Sequence, residues 1–107
     1  YLGQRAAMTP FKELDPLLHS QLRLAVMSIL ISVDRADFTY LRDKTEATAG
    51  NLSVQITKLK EGGYIEVSKS FGESYPQTMC SITELGRKKF GEYVTALNEY
   101  LNPGTGI

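Results

Sequence analysis

A chain of 107 residues is long enough for one domain with a single core and too short for two. Its hydrophobic content of 42% is typical of an ordered globular protein. The apolar stretches fall short of the roughly 18 residues of a membrane span, and the first residues show no leader pattern. We therefore expect a soluble, cytoplasmic protein that does not contact membranes. Twelve Lys and Arg balance twelve Asp and Glu, so only the local distribution of charge can favour a nucleic-acid partner.

The chain is predicted to begin with an arm, residues 1–13, which Pro10 interrupts. Asp15 can then act as an N-cap, and the missing N–H of Pro16 costs nothing at a first helical position. We therefore predict a first helix over about Pro16–Ser32. Its core stripe consists of Leu18, Leu22, Ala25 and Ile29.

Two short helices are predicted next. Phe38 is predicted to be an apolar anchor and suits a very short strand. Thr39 can then cap the first of the two helices, which ends near Thr45. Thr48 can cap the other, which runs over about Ala49–Glu61 and stops at two glycines. Asp34 and Asp37 are interpreted as helix caps and not as an acid–base pair.

The helix over residues 49–61 has a core stripe made of Leu52, Ile56 and Leu59. A 100° step per residue then places small and polar residues on its outward face. This face consists of Gly50, Asn51, Ser53, Val54, Thr57, Lys58 and Glu61. Such a face suits close approach to a DNA groove, and its alternative interpretation is a solvated surface with one exposed valine.

After the two glycines the period changes to that of a strand, which predicts a hairpin over Tyr64–Phe71 and Gln77–Ile82. Thr83 can cap a last helix that ends near Leu101. Its apolar residues are Phe90, Tyr93, Val94, Leu97, Tyr100 and Leu101. They predict either an interface with the same helix of a second copy or packing against the chain's own first helix.

From Leu14 to Gly86 the sequence resembles the stand-alone winged helix-turn-helix transcriptional regulators of bacteria and archaea, of the MarR/ArsR-like type. The resemblance is carried by "LDPLLHSQLRLAVMSIL", "ADFTYLRDKT", "GNLSVQITKLKEGGYIEVSKSF" and "SITELGR". It implies a mainly α fold with a small β-hairpin. Residues 14–82 would form the winged helix-turn-helix DNA-binding domain and residues 83–102 a C-terminal dimerisation helix.

The resemblance also implies a homodimer on double-stranded DNA, with the helix Ala49–Glu61 in the major groove and the terminal apolar residues, Phe90 to Leu101, between subunits. By position, the helix contributes Thr48, Gly50, Asn51, Ser53, Val54, Thr57 and Lys58 to the DNA contacts. The wing contributes Lys69, Ser74, Tyr75 and Gln77. No catalytic residue, cofactor or metal is implied, and a small-molecule effector has room between the terminal helix and the domain but no residue identifies one.

Two positions depart from the family pattern. The turn between the short helices reads Glu46-Ala47 where relatives favour glycine, and we expect a slightly altered turn because a left-handed non-glycine costs about 1–2 kcal/mol. The wing carries no Lys or Arg over residues 72–77. Together with the zero net charge, this supports a rival interpretation, a winged-helix module that binds protein and not DNA.

Other candidate sites are weak. Cys80 lies in a predicted strand and His19 in a predicted helix, so we interpret them as structural residues and not as a nucleophile with its base. His19 has no ligand partners nearby in the sequence that would favour a metal site. The run Arg87-Lys88-Lys89 sits near the start of the last helix, where it opposes the helix dipole unless an anion is close.

Overall fold

The structure is a computed structural model that describes residues 11–71 and 76–103 of the chain. The elements follow the predicted order of helix, two short helices, hairpin and long helix. They are α1 (Gln21–Val33), β1 (Arg35–Asp37), α2 (Phe38–Thr45), α3 (Ala49–Glu61), β2 (Ile65–Phe71), β3 (Pro76–Ile82) and α4 (Glu84–Leu101). The mainly α fold with a small β-hairpin is thereby confirmed.

Helix α1 begins five residues later than the sequence predicts. The Asp15 side chain accepts from the Leu17 N–H at 2.9 Å, as a cap would, and its carbonyl accepts from His19 at 2.8 Å. The chain then becomes extended at Ser20, with φ of −153°, and Ser20 is the residue before α1. The predicted start at Pro16 is wrong because Asp15 caps an isolated turn over residues 15–19, here called the entry turn.

The turn between α2 and α3 keeps its left-handed residue. Asp37, and not Thr39, caps α2 by accepting from the Tyr40 N–H at 2.7 Å. At the other end of α2, Glu46 has φ of 58° and ψ of 27°, and its N–H donates to the Arg42 carbonyl at 2.8 Å. The altered turn expected from the sequence is wrong, because Glu46 adopts the glycine-like conformation itself at a cost of about 1–2 kcal/mol.

The three strands form an antiparallel sheet in the order β1, β3, β2. β3 is central, but β1 reaches only its C-terminal half, where Ala36 lies opposite Cys80. β2 pairs along the whole of β3, from Ile65 opposite Ile82 to Phe71 opposite Pro76. The inner face of this sheet covers a core to which every helix contributes buried residues.

Helix α4 crosses the start of β2 at very close range. A Cβ atom at Gly86 would overlap the backbone carbonyl of Tyr64 and lie 3.1 Å from Ile82 Cγ1. The Tyr64 carbonyl oxygen also accepts from the Thr83 N–H at 3.1 Å. A glycine is therefore required where α4 packs against the strand. Within the described residues, no helix combines the length and apolar character that a membrane crossing demands.

Candidate nucleic-acid interface

Helix α3 has the bounds and the cap that the sequence predicts. Thr48 accepts from the Asn51 N–H at 3.2 Å through its hydroxyl, and the helix ends at Gly62. Its three apolar residues, Leu52, Ile56 and Leu59, are buried in the core. The opposite side of α3 therefore faces away from the domain.

All seven residues predicted on α3 for DNA contact are exposed. They are Thr48, Gly50, Asn51, Ser53, Val54, Thr57 and Lys58, and we call this surface the recognition face. Val54 is 51% exposed at its centre, and a Cβ atom at Gly50 would meet no atom within 4 Å. The face is thus open, and it carries small side chains that leave the helix backbone accessible.

Hydrogen bonds already fix part of the recognition face. The Thr57 hydroxyl donates to the Ser53 carbonyl at 3.0 Å, so it is turned back onto the helix. The Asn51 Oδ1 accepts from Gln55 Nε2 at 2.9 Å, one helical turn further along. The Thr57 hydroxyl proton is therefore engaged by the helix backbone, whereas the Asn51 NH₂ group lies on the exposed side of the helix.

Two residues that the sequence analysis missed extend this arrangement into α1. Arg23 Nη1 donates to the Oε1 atom of Gln55, and Arg23 Nε donates to the Leu17 carbonyl at 2.6 Å. Arg23 and Gln55 are both half-buried between α1 and α3. The position of Gln55 beside the core stripe of α3 is a weak signal for such a role, but nothing in the sequence points to Arg23.

The structure does not bring the described wing residues onto one surface. Lys69 on β2 lies opposite Thr78, whereas Gln77 on β3 lies opposite Ser70. Directly opposed residues share a face of a sheet and neighbours along a strand alternate, so Lys69 and Gln77 point to opposite faces. Ser74 and Tyr75, the other two predicted wing contacts, lie outside the described residues.

The basic run at the start of α4 is partly neutralised by acidic neighbours. Arg87 pairs with Asp34, and Lys89 Nζ lies 3.7 Å from Glu92 Oε1. These exposed pairs contribute little stability, but they lower the local positive charge. Cationic side chains are also exposed on α3 and β2, namely Lys58, Lys60 and Lys69.

The six apolar residues predicted for the dimer interface fall into two sets. Tyr93 is buried and forms a 2.9 Å hydrogen bond to His19 Nδ1, while Phe90 and Leu97 pack against the domain's own core. The other three are exposed, Val94 at 47%, Tyr100 at 38% and Leu101 at 70%. Tyr100 also packs its ring 5.2 Å from that of Phe11. Part of α4 thus packs in cis, and Val94 and Leu101 are available to a partner.

A cleft of about 380 Å³ separates α4 from the entry turn. Its lining includes Asp15, Tyr64, Lys89, Glu92 and Tyr93. The Tyr64 hydroxyl donates to Asp15 Oδ2 at 2.5 Å, and burial, followed by this bond, raises the pKa of Tyr64 above its ordinary value of 10.0. The lining of the cleft therefore combines apolar side chains with charges of both signs.

The remaining candidate residues have structural surroundings. Cys80, on the central strand β3, is fully buried, and burial raises the pKa of its thiol to about 11, which leaves it protonated at neutral pH. Across residues 11–71 and 76–103, no three His, Cys, Asp or Glu side chains come together as a metal site would require.

Comparison with known proteins gives consistent matches. The family model described as "Winged helix DNA-binding domain" matches residues 22–101. An uncharacterized protein of Methanocaldococcus jannaschii is 32% identical over 78 residues, which cover 73% of this chain and 85% of that protein.

Solved structures share the fold at lower identity. A transcriptional regulator homologue from Pyrococcus horikoshii superposes with a TM-score of 0.76 at 24% identity, covering 80% of this chain and 85% of that one. A mutant MarR from Escherichia coli, solved in complex with operator DNA, gives a TM-score of 0.70 at 14% identity, covering 94% and 71%. A PadR family transcriptional regulator from Eggerthella lenta gives 0.61 at 23% identity, covering 80% and 83%.

Proposed function

Because the chain belongs to the family of winged helix DNA-binding domains, we propose that it is a transcriptional regulator that binds a short, roughly palindromic DNA site as a homodimer. In this proposal the recognition face of α3 enters the major groove. The observation that carries it is the open and polar character of that face, with Val54 at its centre and Asn51 and Lys58 beside it. A valine can contact a thymine methyl group, and an asparagine can hydrogen-bond a base edge.

The homodimer is supported by the exposed apolar side of α4. Val94 and Leu101 are seven residues apart, so they lie on the same side of the helix, away from the buried Tyr93. A partner helix would remove this apolar surface from water. Two-fold symmetry would then place the two recognition faces about one turn of DNA apart, roughly 34–36 Å. Any signal that changes this spacing would change the affinity for DNA.

The test of DNA binding is fluorescence anisotropy with labelled fragments from the region around the protein's own gene, repeated over several salt concentrations. We expect a preferred fragment and a steep loss of affinity with salt. Asn51→Ala should cost about 1–3 kcal/mol on the preferred fragment only, whereas Lys58→Ala should weaken binding to all fragments alike. Weak binding that is independent of sequence would contradict the proposal.

The test of the homodimer is sedimentation of two charge-matched variants. Val94→Glu places a carboxylate in the proposed interface and should dissociate the dimer, because an unpaired buried charge is costly. Thr95→Glu adds the same charge to an exposed neighbouring position that faces another direction, and it should remain dimeric. A monomeric wild type, or equal masses for both variants, would count against α4 as the interface.

A protein-interaction module remains the second candidate, and a specific observation favours it. The pairs of Arg87 with Asp34 and of Lys89 with Glu92 remove positive charge from the start of α4. Sequence-independent binding in the anisotropy experiment would favour this candidate over the DNA-binding regulator.

The cleft between α4 and the entry turn is the place where a small-molecule effector would fit this proposal. It touches α4 through Tyr93 and the DNA-binding domain through Tyr64. A ligand there would alter the angle between the dimer helix and the domain, and hence the spacing of the recognition faces.

A further inference from the structure

We propose that Asn51 reads hydrogen-bond acceptors on the DNA bases through its amide NH₂ group, because Arg23 and Gln55 hold its oxygen away from the groove. This inference rests on the proposed function and specifies what the recognition face selects. The three side chains form a continuous series from α1 to α3, here called the Arg23–Gln55–Asn51 chain.

The direction of every bond in this chain follows from the chemistry of its first member. A guanidinium group has only N–H donors, so the atom of Gln55 that meets Arg23 has to be the amide oxygen. The Gln55 NH₂ group then points along α3 to Asn51, which has to present its own oxygen in return. The Asn51 NH₂ group is left on the exposed side.

The first member of the chain is itself fixed in place. Arg23 Nε donates to the Leu17 carbonyl at 2.6 Å, and Nη2 lies 3.4 Å from the Pro16 carbonyl. Both carbonyls belong to the entry turn. If α1 began at Pro16, these carbonyls would accept from backbone N–H groups of the helix instead. The late start of α1 therefore provides the acceptors that orient Arg23.

The consequence concerns the identity of one base. Guanine presents two acceptors in the major groove, N7 and O6, whereas thymine presents one, O4, adenine pairs its N7 acceptor with a donor, and cytosine presents only the N4 donor. An outward NH₂ group favours guanine at the base pair that Asn51 contacts. We expect guanine to be preferred there by about tenfold over cytosine, as one good base contact provides. Arg23 and Gln55 act as positioning residues.

The decisive variant is Gln55→Glu, which changes one NH₂ group to oxygen and keeps the shape. The new carboxylate still accepts from Arg23, but it has no donor for Asn51. Asn51 has to reverse its amide and donate to the carboxylate, so its oxygen becomes the outward atom. The preferred base should change from guanine to one with an exposed donor, cytosine or adenine.

The experiment is selection of binding sites from a randomised DNA library with the full chain and four proteins. Wild type should enrich guanine at one position, Asn51→Ala should lose preference at that position only, and Gln55→Glu should enrich cytosine or adenine there. Ser28→Glu adds the same charge at an exposed position of α1 outside the cavity that Asn51 and Gln55 line, and it should keep guanine. Because preferences are ratios within one protein, a general loss of affinity from the added charge does not affect them.

Wild type and the Gln55→Glu variant give a second measurement without DNA, and the Asn51→Ala spectrum identifies the Asn51 signal. In side-chain amide NMR spectra, the Asn51 NH₂ protons should exchange rapidly in wild type and become protected in Gln55→Glu. A wild type that prefers any base other than guanine at the Asn51 position, or a Gln55→Glu variant that still selects guanine, would overturn the inference and leave the proposed regulator intact. If wild type selects no sequence at all, sequence-specific binding itself fails and the base preference fails with it.

Discussion

We expect Gly86→Ala to destabilise the protein, although an alanine normally stabilises a helix. Alanine is favoured over glycine within a helix by about 0.8–1 kcal/mol. At Gly91, in the same helix, a Cβ atom would meet nothing within 4 Å, so Gly91→Ala should raise the free energy of unfolding by about that amount. At Gly86 the same atom would overlap the Tyr64 carbonyl.

The magnitude follows from what would have to move. A carbonyl that belongs to the backbone cannot rotate away as a side chain can, and overpacking of this kind costs about 1–3 kcal/mol. A shift of Tyr64 would also weaken the bond from the Thr83 N–H, which contributes about 1 kcal/mol. After the propensity gain is subtracted, Gly86→Ala should lower the free energy of unfolding by about 1–3 kcal/mol.

Urea unfolding at one protein concentration measures both variants, since any self-association makes stability depend on concentration. We expect the unfolding midpoint of Gly86→Ala to fall by about 1 M and that of Gly91→Ala to rise slightly. The matched pair separates a general helix effect from the local contact. A Gly86→Ala protein as stable as Gly91→Ala would refute the close approach of α4 to the strand.

Two further predictions concern Glu46 and Tyr64. Glu46→Gly should raise the free energy of unfolding by about 1 kcal/mol, because glycine adopts a φ of 58° without the steric cost; thermal unfolding measures it, and an unchanged midpoint would show that the turn relaxes in solution. Tyr64→Phe should lower it by about 1–2 kcal/mol at neutral pH through loss of the bond to Asp15. Because the pKa of folded Tyr64 is raised above 10.0, wild type should lose stability as pH rises beyond 10, and the variant should lose less; parallel pH profiles would contradict that assignment.

The comparison of α3 with α1 shows which features a sequence can reveal. Every signal for α3 is local, from the Thr48 cap through three core residues to the paired glycines, and the helix has the predicted bounds. Asp15 offers an equally good local cap, but contacts with residues distant in the sequence stabilise the entry turn and not a helix that begins at Pro16. Tyr64 binds the Asp15 carboxylate, and Arg23 takes the carbonyls of Pro16 and Leu17.

The candidate site divides in the same way. Exposure of the recognition face follows from helical periodicity, which is why all seven of its residues could be named from the sequence. The partner of Gln55 is 32 residues away along the chain, and its selection depends on how α1 lies against α3. On α4, periodicity identified the apolar residues, but only packing could separate Tyr93, which is buried, from Val94, which is exposed.

The uneven pairing of the sheet has a mechanical consequence. β1 supports β3 only from Met79 to Ser81, while the stretch from Pro76 to Thr78 is joined to β2 alone. The part of the hairpin next to Met79–Ser81 is held by hydrogen bonds on both sides of β3. The part next to Pro76–Thr78 is held on one side only, and we expect it to bend more easily. Backbone amide exchange should show this difference as a gradient of protection along β3, from Ser81 to Gln77. A partner that binds the outer part of the hairpin would therefore contact a surface that can adjust its shape.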